Sequence, residues 1–343
     1  MGPLRGKRMI TRRTVLTTSA AALATTVAAP PFLRAQDAKW RLGHAMPASH
    51  SLNVRANEAA ERIRKDTNGR VDIQVFPDSQ LGGDGDMAGQ VRTGALQLYF
   101  PAATSVGPLV PAAGIVNVAF AFKDSAQGWT ALDGDLGKQI AQAFAKVNLH
   151  AFDNSWENGF RQITTATKPI NSPADLAGFK IRVPTSPLLI SIFKSLGASP
   201  TSMNVNELYS ALQTKIVDGQ ENPLSIIATR NFNEVQKYCA NTNHVWDIFF
   251  LVANMNAWKA LPPDLQATVA KHVNESGVQQ RADVARDNAT LQKDLEAKGM
   301  VFNTPDIAPF REALGKSGFY AQWRKTYGEE PWKVLEKYAG PLT

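Results

Sequence analysis

The residues in this chain with the most suggestive chemistry are two arginines and an asparagine between positions 161 and 222. Arg161 lies in Asn158-Gly159-Phe160-Arg161-Gln162-Ile163-Thr164-Thr165. Arg182 lies in Lys180-Ile181-Arg182-Val183-Pro184, and Asn222 in Asp218-Gly219-Gln220-Glu221-Asn222-Pro223. A guanidinium is a planar fork that gives a carboxylate two parallel charge-assisted hydrogen bonds and does not lose its proton. Arg182 sits between Ile181 and Val183, where a charge is costly unless something satisfies it. That partner is either an internal Asp or Glu, or one small carboxylate shared by all three side chains. The residues alone leave both readings open.

Little else in the chain suggests machinery for changing such a carboxylate. There is no Ser/His/Asp elbow motif and no zinc motif. His44 and His50 bracket Pro47 in a loop that would face a cleft, but no further His, Cys or carboxylate spacing completes a metal site. Gly82-Gly83-Asp84-Gly85 lacks the Lys-Ser/Thr of a phosphate loop and is read as a plain loop. The one cysteine, Cys239, follows Lys237 and Tyr238 and reads as a small buried apolar residue. No catalytic residue, metal or cofactor is expected. Trp156 and Trp246 are candidates for stacking on a ligand or for core packing, and Asp247 for reaching a ligand hydroxyl or capping local structure.

The elements that must carry these side chains alternate between strand and helix. Lys39 to His44 reads as a strand, Leu52 to Thr67 as a helix ended by Asn68-Gly69, and Arg70 to Phe76 as a strand with clean alternation. Asp86 to Thr93 reads as a helix, and Ala95 to Phe100, Asn148 to Phe152, Arg161 to Thr165 and Phe179 to Val183 as strands. Pro187 to Leu196 and Asn206 to Thr214 are expected helices, with Asn204 or Asn206 as cap for the second. Asp264 to Lys298 is either one long helix or two helices broken near Glu275-Ser276-Gly277. This alternation implies an α/β fold with parallel crossovers. A chain of 343 residues is long enough for two domains.

The formal charge of +7 is concentrated at the start of the chain. Arg5, Lys7, Arg8, Arg12, Arg13 and Arg34 fall within residues 1–35, which hold no Asp or Glu. Removing those six charges from +7 leaves +1, so a nucleic-acid partner loses its electrostatic basis. The basic start, the weakly apolar run Val15 to Ala29 and the small residue Ala35 read as an export segment cleaved after Ala35. Thr11-Arg12-Arg13-Thr14-Val15-Leu16 resembles a twin-arginine signal, with general secretion as the other route. Either route places the mature chain in the periplasm.

From Trp156 to His244 the phrases above resemble the substrate-binding proteins of tripartite ATP-independent periplasmic (TRAP) transporters, the C4-dicarboxylate and sialic-acid receptor family. So do Gly197-Ala198-Ser199-Pro200-Thr201, Tyr209-Ser210-Ala211-Leu212-Gln213-Thr214, Phe232 to Thr242, and Leu251-Val252-Ala253-Asn254. Phe76-Pro77-Asp78-Ser79-Gln80-Leu81-Gly82 extends the match toward the start. The resemblance implies a two-domain periplasmic binding protein with a cleft, crossing strands and a long spanning helix. The domains would be residues 36–158 plus about 247–287, and 159–246 plus about 288–343. It also implies a receptor, not an enzyme, that delivers ligand to a membrane permease driven by an ion gradient. In the family, the arginine matching Arg182 makes the main bidentate bond to the ligand carboxylate, and those matching Arg161 and Asn222 complete the clamp.

One departure bears on the ligand. Where sialic-acid receptors carry a glutamate this chain has Ala102, and where they carry a pocket aromatic it has Val205. Apolar groups there suit a compact or aromatic monocarboxylate (keto, hydroxy or aromatic acid) better than a polyhydroxylated one. The alternatives are a C4-dicarboxylate receptor, an exported enzyme acting on an organic acid, and a receptor that signals to a membrane sensor.

Overall fold

The computed structural model describes residues 38–343. The expected export segment, residues 1–35, lies outside them.

The strands are β1 (Ala38–His44), β2 (Val71–Phe76), β3 (Leu98–Phe100), β4 (Leu149–Ala151), β5 (Trp156–Thr165) and β6 (Lys180–Val183). They continue with β7 (Ser199–Ser202), β8 (Gly219–Pro223), β9 (Tyr238–Ala240), β10 (Trp246–Phe249), β11 (Val252–Asn254) and β12 (Val301–Asn303). They form two sheets. The first has the order β2-β1-β3-β11-β4, with β1 parallel to both β2 and β3 and β11 antiparallel to its neighbours. The second has the order β12-β9-β5-β8-β6-β7, and β10 pairs with β5.

β5 holds the two halves together. Its first residues, Trp156 to Phe160, pair with β10, and Arg161 to Thr165 pair with β8. The change of partner comes after Phe160, next to Gly159, whose φ of +110° is open to glycine and strained for any residue with a Cβ. This strand begins five residues before the apolar pattern suggests. Pairing with β10, more than eighty residues away, extends it. β3 is shorter than expected, because Gly94 ends the preceding helix in the left-handed conformation and Ala95 to Gln97 form the turn.

The helix Pro263–Ala297 is continuous over 35 residues, which resolves the open question about a break. Pro263 suits its first turn, where the missing N–H is not needed. Gly277 within it lets the backbone approach Trp156; a Cβ there would lie 2.9 Å from the indole Nε1. Gln280 then brackets the backbone of Glu157, accepting from its N–H (2.8 Å) and donating to its C=O (2.9 Å). The long helix is thus pinned to the part of β5 that links the sheets. It also lies along the helix Ser51–Asp66, where Arg55 forks onto Asp283 at 2.6 and 2.9 Å. Among the described residues no helix is long and apolar enough to cross a membrane.

Candidate ligand-binding site

Arg182 reaches its position through strand alternation. Ile181 and Val183, fully buried, face the core, and Arg182 between them faces the opposite side of the sheet. It is only 2 % exposed. Its hydrogen bonds go to a single backbone oxygen, that of Met203, from Nε (3.0 Å) and Nη2 (2.6 Å). Among the described residues no carboxylate pairs with it, and Nη1 has no partner. Burial is the main influence on this guanidinium and lowers its pKa to about 10, against the attraction of Glu221. A buried cation with a donor to spare is arranged to receive an anion.

Arg161, equally buried, is already held. Its Nε and Nη2 fork onto the Glu221 carboxylate at 2.5 and 2.8 Å, a diagonal pair across β5 and β8. Nη1 donates to Asp247 at 2.9 Å, and Nη2 also reaches Asn222 Oδ1 at 3.0 Å. Burial opposes its charge, and the two carboxylates more than offset that, so its pKa lies above the ordinary value. Burial raises the pKa of Asp247, while for Glu221 the pull of Arg161 and His244 overcomes burial and lowers it. The sequence alternatives therefore divide. Arg161 has internal carboxylate partners and Arg182 does not. Asn222 is fixed between them, donating to Gln220 Oε1 at 2.5 Å.

Arg182, Arg161 and Asn222 all line one recess. Ala102 and Val205 line it too, as do Met46, Phe100, Ile226 and Phe249. Its polar lining is completed by Asp84, Thr104, Ser105 and Asn158. Both halves of the molecule contribute, and contacts link them around the recess. Arg230 Nη2 donates to Ala45 O (2.6 Å) and Asp78 Oδ1 (2.8 Å). Gly83 packs so closely on Asn204 that a Cβ would lie 2.6 Å from its amide nitrogen.

The other candidates lie outside the lining. His44 is buried against Asn53 (3.2 Å) and accepts from the Met46 N–H; burial drives its pKa down to about 4, so it is neutral. Trp156 packs on Phe100, with ring centroids 4.6 Å apart, and against Gly277. Trp246 packs between Phe122 and Trp129 and donates to Glu157 at 2.8 Å. Asp247 is saturated behind the recess by Thr104, Asn117, Asn158 and Arg161. Sequence reasoning passed over Asp84, taken as plain loop, and Asn158, which stands in the quoted phrase but received no role.

Comparison with known proteins gives the arrangement a family. The family model described as "Bacterial extracellular solute-binding protein, family 7" matches residues 42–324. The 2,3-diketo-L-gulonate-binding periplasmic protein of Escherichia coli is 31% identical over 276 residues, covering 80% of this chain and 84% of that one. A TRAP periplasmic solute-binding protein from Sulfurospirillum deleyianum, solved with bound succinate, is 29% identical, with a TM-score of 0.82 over 90% of this chain and 100% of that one. Another, from Polaromonas sp. JS666, bound to D-erythronate, is 29% identical, with a TM-score of 0.83 over 89% and 99%. The two-sheet frame agrees with these matches: the chain belongs to the family 7 bacterial extracellular solute-binding proteins, the substrate receptors of TRAP transporters.

Proposed function

We propose that this receptor binds a compact monocarboxylate in the recess and hands it to a TRAP permease from the periplasm. The observation that carries this is Arg182, a buried guanidinium on the recess wall whose protein hydrogen bonds end on one carbonyl. Its unpartnered Nη1 and the held Arg161 and Asn222 present donors to one carboxylate. The apolar wall of Met46, Phe100, Ala102, Val205, Ile226 and Phe249 suits a small aliphatic or aromatic body. Asp84, on the same recess, disfavours a second carboxylate by like-charge repulsion, which sets a monocarboxylate above a C4-dicarboxylate.

The lobes we propose for opening and closing are residues 36–158 with about 247–287, and 159–246 with about 288–343. The C-terminal helix Glu329–Ala339 fastens onto the first lobe through Lys337 to Asp135 and the Tyr338 C=O to Gln127. Ligand meets Arg182 in the open form. Closure then excludes water and strengthens the charged bonds.

The test is a thermal-shift screen of the refolded, ligand-free protein against organic acids, followed by calorimetry on hits. A ligand at 100 times its dissociation constant stabilises by about 2.7 kcal/mol. Arg182→Ala should weaken the best hit by about 100-fold or more, since charged hydrogen bonds contribute about 1.5–3 kcal/mol each. It should leave the ligand-free melting temperature unchanged or higher. Arg182→Lys should also lose most affinity, because one ammonium does not reproduce the fork. If Arg182→Ala binds as tightly as the parent, the clamp assignment is wrong.

A further inference from the structure

Asn158 is buried to 1 % exposure on the wall of the recess. Its amide orientation is fixed by what lies behind it. Nδ2 donates to Asp247 Oδ2 at 2.8 Å. That oxygen also receives Thr104 Oγ1 (3.0 Å) and Arg161 Nη1 (2.9 Å), and the other Asp247 oxygen receives Asn117 Nδ2 (3.1 Å) and the Ile248 N–H (3.0 Å). With so many donors converging, Asp247 acts as an acceptor. Turning the amide over would set oxygen against oxygen. Asn158 Oδ1 is therefore the atom left over, and it has no hydrogen-bond partner among the described residues. A buried acceptor left without a donor costs about 1–3 kcal/mol.

We infer that Asn158 is a specificity-determining residue: its Oδ1 accepts a hydrogen bond from a hydroxyl next to the ligand carboxylate, so the site takes 2-hydroxy acids over 2-oxo and unsubstituted acids. This rests on the recess being a carboxylate site. Asn158 and Arg161 share one oxygen of Asp247, so the acceptor lies beside the clamp and meets a group close to the carboxylate. A 2-oxo group brings only another acceptor and leaves Oδ1 unsatisfied. An unsubstituted acid brings nothing. The selectivity follows the rule that a site built to pair with a hydroxyl rejects the analogue lacking it more strongly than an apolar pocket rejects an added methylene.

The test uses two matched series: 2-hydroxyisovalerate, 2-oxoisovalerate and isovalerate, and mandelate, phenylglyoxylate and phenylacetate. Both enantiomers of each hydroxy acid are included. Dissociation constants are measured by calorimetry on the parent and on Asn158→Ala. In the parent, one enantiomer of a hydroxy acid should bind at least about tenfold tighter than its 2-oxo and unsubstituted counterparts. In Asn158→Ala that ratio should fall to within about threefold. Oxo or unsubstituted acids binding as well as hydroxy acids to the parent would overturn the inference and leave the receptor reading standing. So would a hydroxyl preference that survives in Asn158→Ala. If neither these acids nor any other carboxylate binds the parent, the receptor reading itself fails, and this inference with it. The parent series needs no variant, so a misfolded Asn158→Ala does not block the decision.

Discussion

Replacing Glu157 with glutamine tests whether a buried carboxyl in the link between the sheets carries a strong pH dependence. Glu157 is 4 % exposed, sits on the part of β5 that pairs with β10, and accepts from the Trp246 indole. Burial is the largest influence on it and raises its pKa from 4.5 to about 7, against hydrogen bonds from Trp246, Ser125 and Trp129 and the charge of Arg281. The folded protein therefore holds this proton more tightly than the unfolded chain. The resulting penalty is absent below about pH 4.5, grows between 4.5 and about 7, and is complete above that. At 1.36 kcal/mol per pH unit, it amounts to about 3 kcal/mol. Glu157→Gln does not ionise, so it should match the parent near pH 4.5 and exceed it by up to about 3 kcal/mol at pH 9. For a body of this size that is about 5 °C in melting temperature. Scanning calorimetry of both proteins from pH 4.5 to 9 reads the difference directly. The buried, neutral His44 and His50, with pKa values lowered to about 4 and about 3, titrate alike in both proteins and cancel. A difference that stays constant with pH would refute the reasoning, because it would mean that Glu157 does not change charge in this window.

Two further variants probe closure and packing. Arg230→Ala removes the link to Ala45 O and Asp78 across the recess and should raise the dissociation constant about three- to tenfold. The ligand-free melting temperature should stay within about 2 °C of the parent, and calorimetry that finds unchanged affinity would remove this contact from the closure mechanism. Gly277→Ala sets a methyl 2.9 Å from Trp156 Nε1 and should destabilise by about 1–3 kcal/mol, read as a lowered denaturant midpoint.

The parts of this fold that sequence reasoning captured are those set by local pattern. The alternation of Val71, Ile73 and Val75 gives β2, and Asn68-Gly69 ends the helix before it. The parts it missed depend on distant residues. Arg161 looked as free as Arg182, because its partners Glu221 and Asp247 lie 60 and 86 positions away. The early start of β5 depends on β10 in the same way. Asp84 stood in a glycine-rich phrase weighed only against a phosphate loop and read as a plain loop, and its place on the recess comes from the turn into the helix Asp84–Thr93. Trp156 and Trp246 carried no local signal to separate ligand stacking from packing. Each is occupied by neighbours contributed from several elements.

The strand order of the first sheet constrains how the chain is assembled as it emerges. β11, residues 252–254, lies between β3 and β4, both of which precede residue 152. Until about three-quarters of the chain has been synthesised, that sheet is in two pieces, each with an open edge of the kind that invites mispairing. The second sheet has no such gap: β5 to β9 span residues 156–240 without a break. The later half can therefore fold while the earlier half waits. A nascent or truncated chain ending before residue 252 would expose the N-terminal strands, and those strands are where a chaperone or a protease would find its first hold.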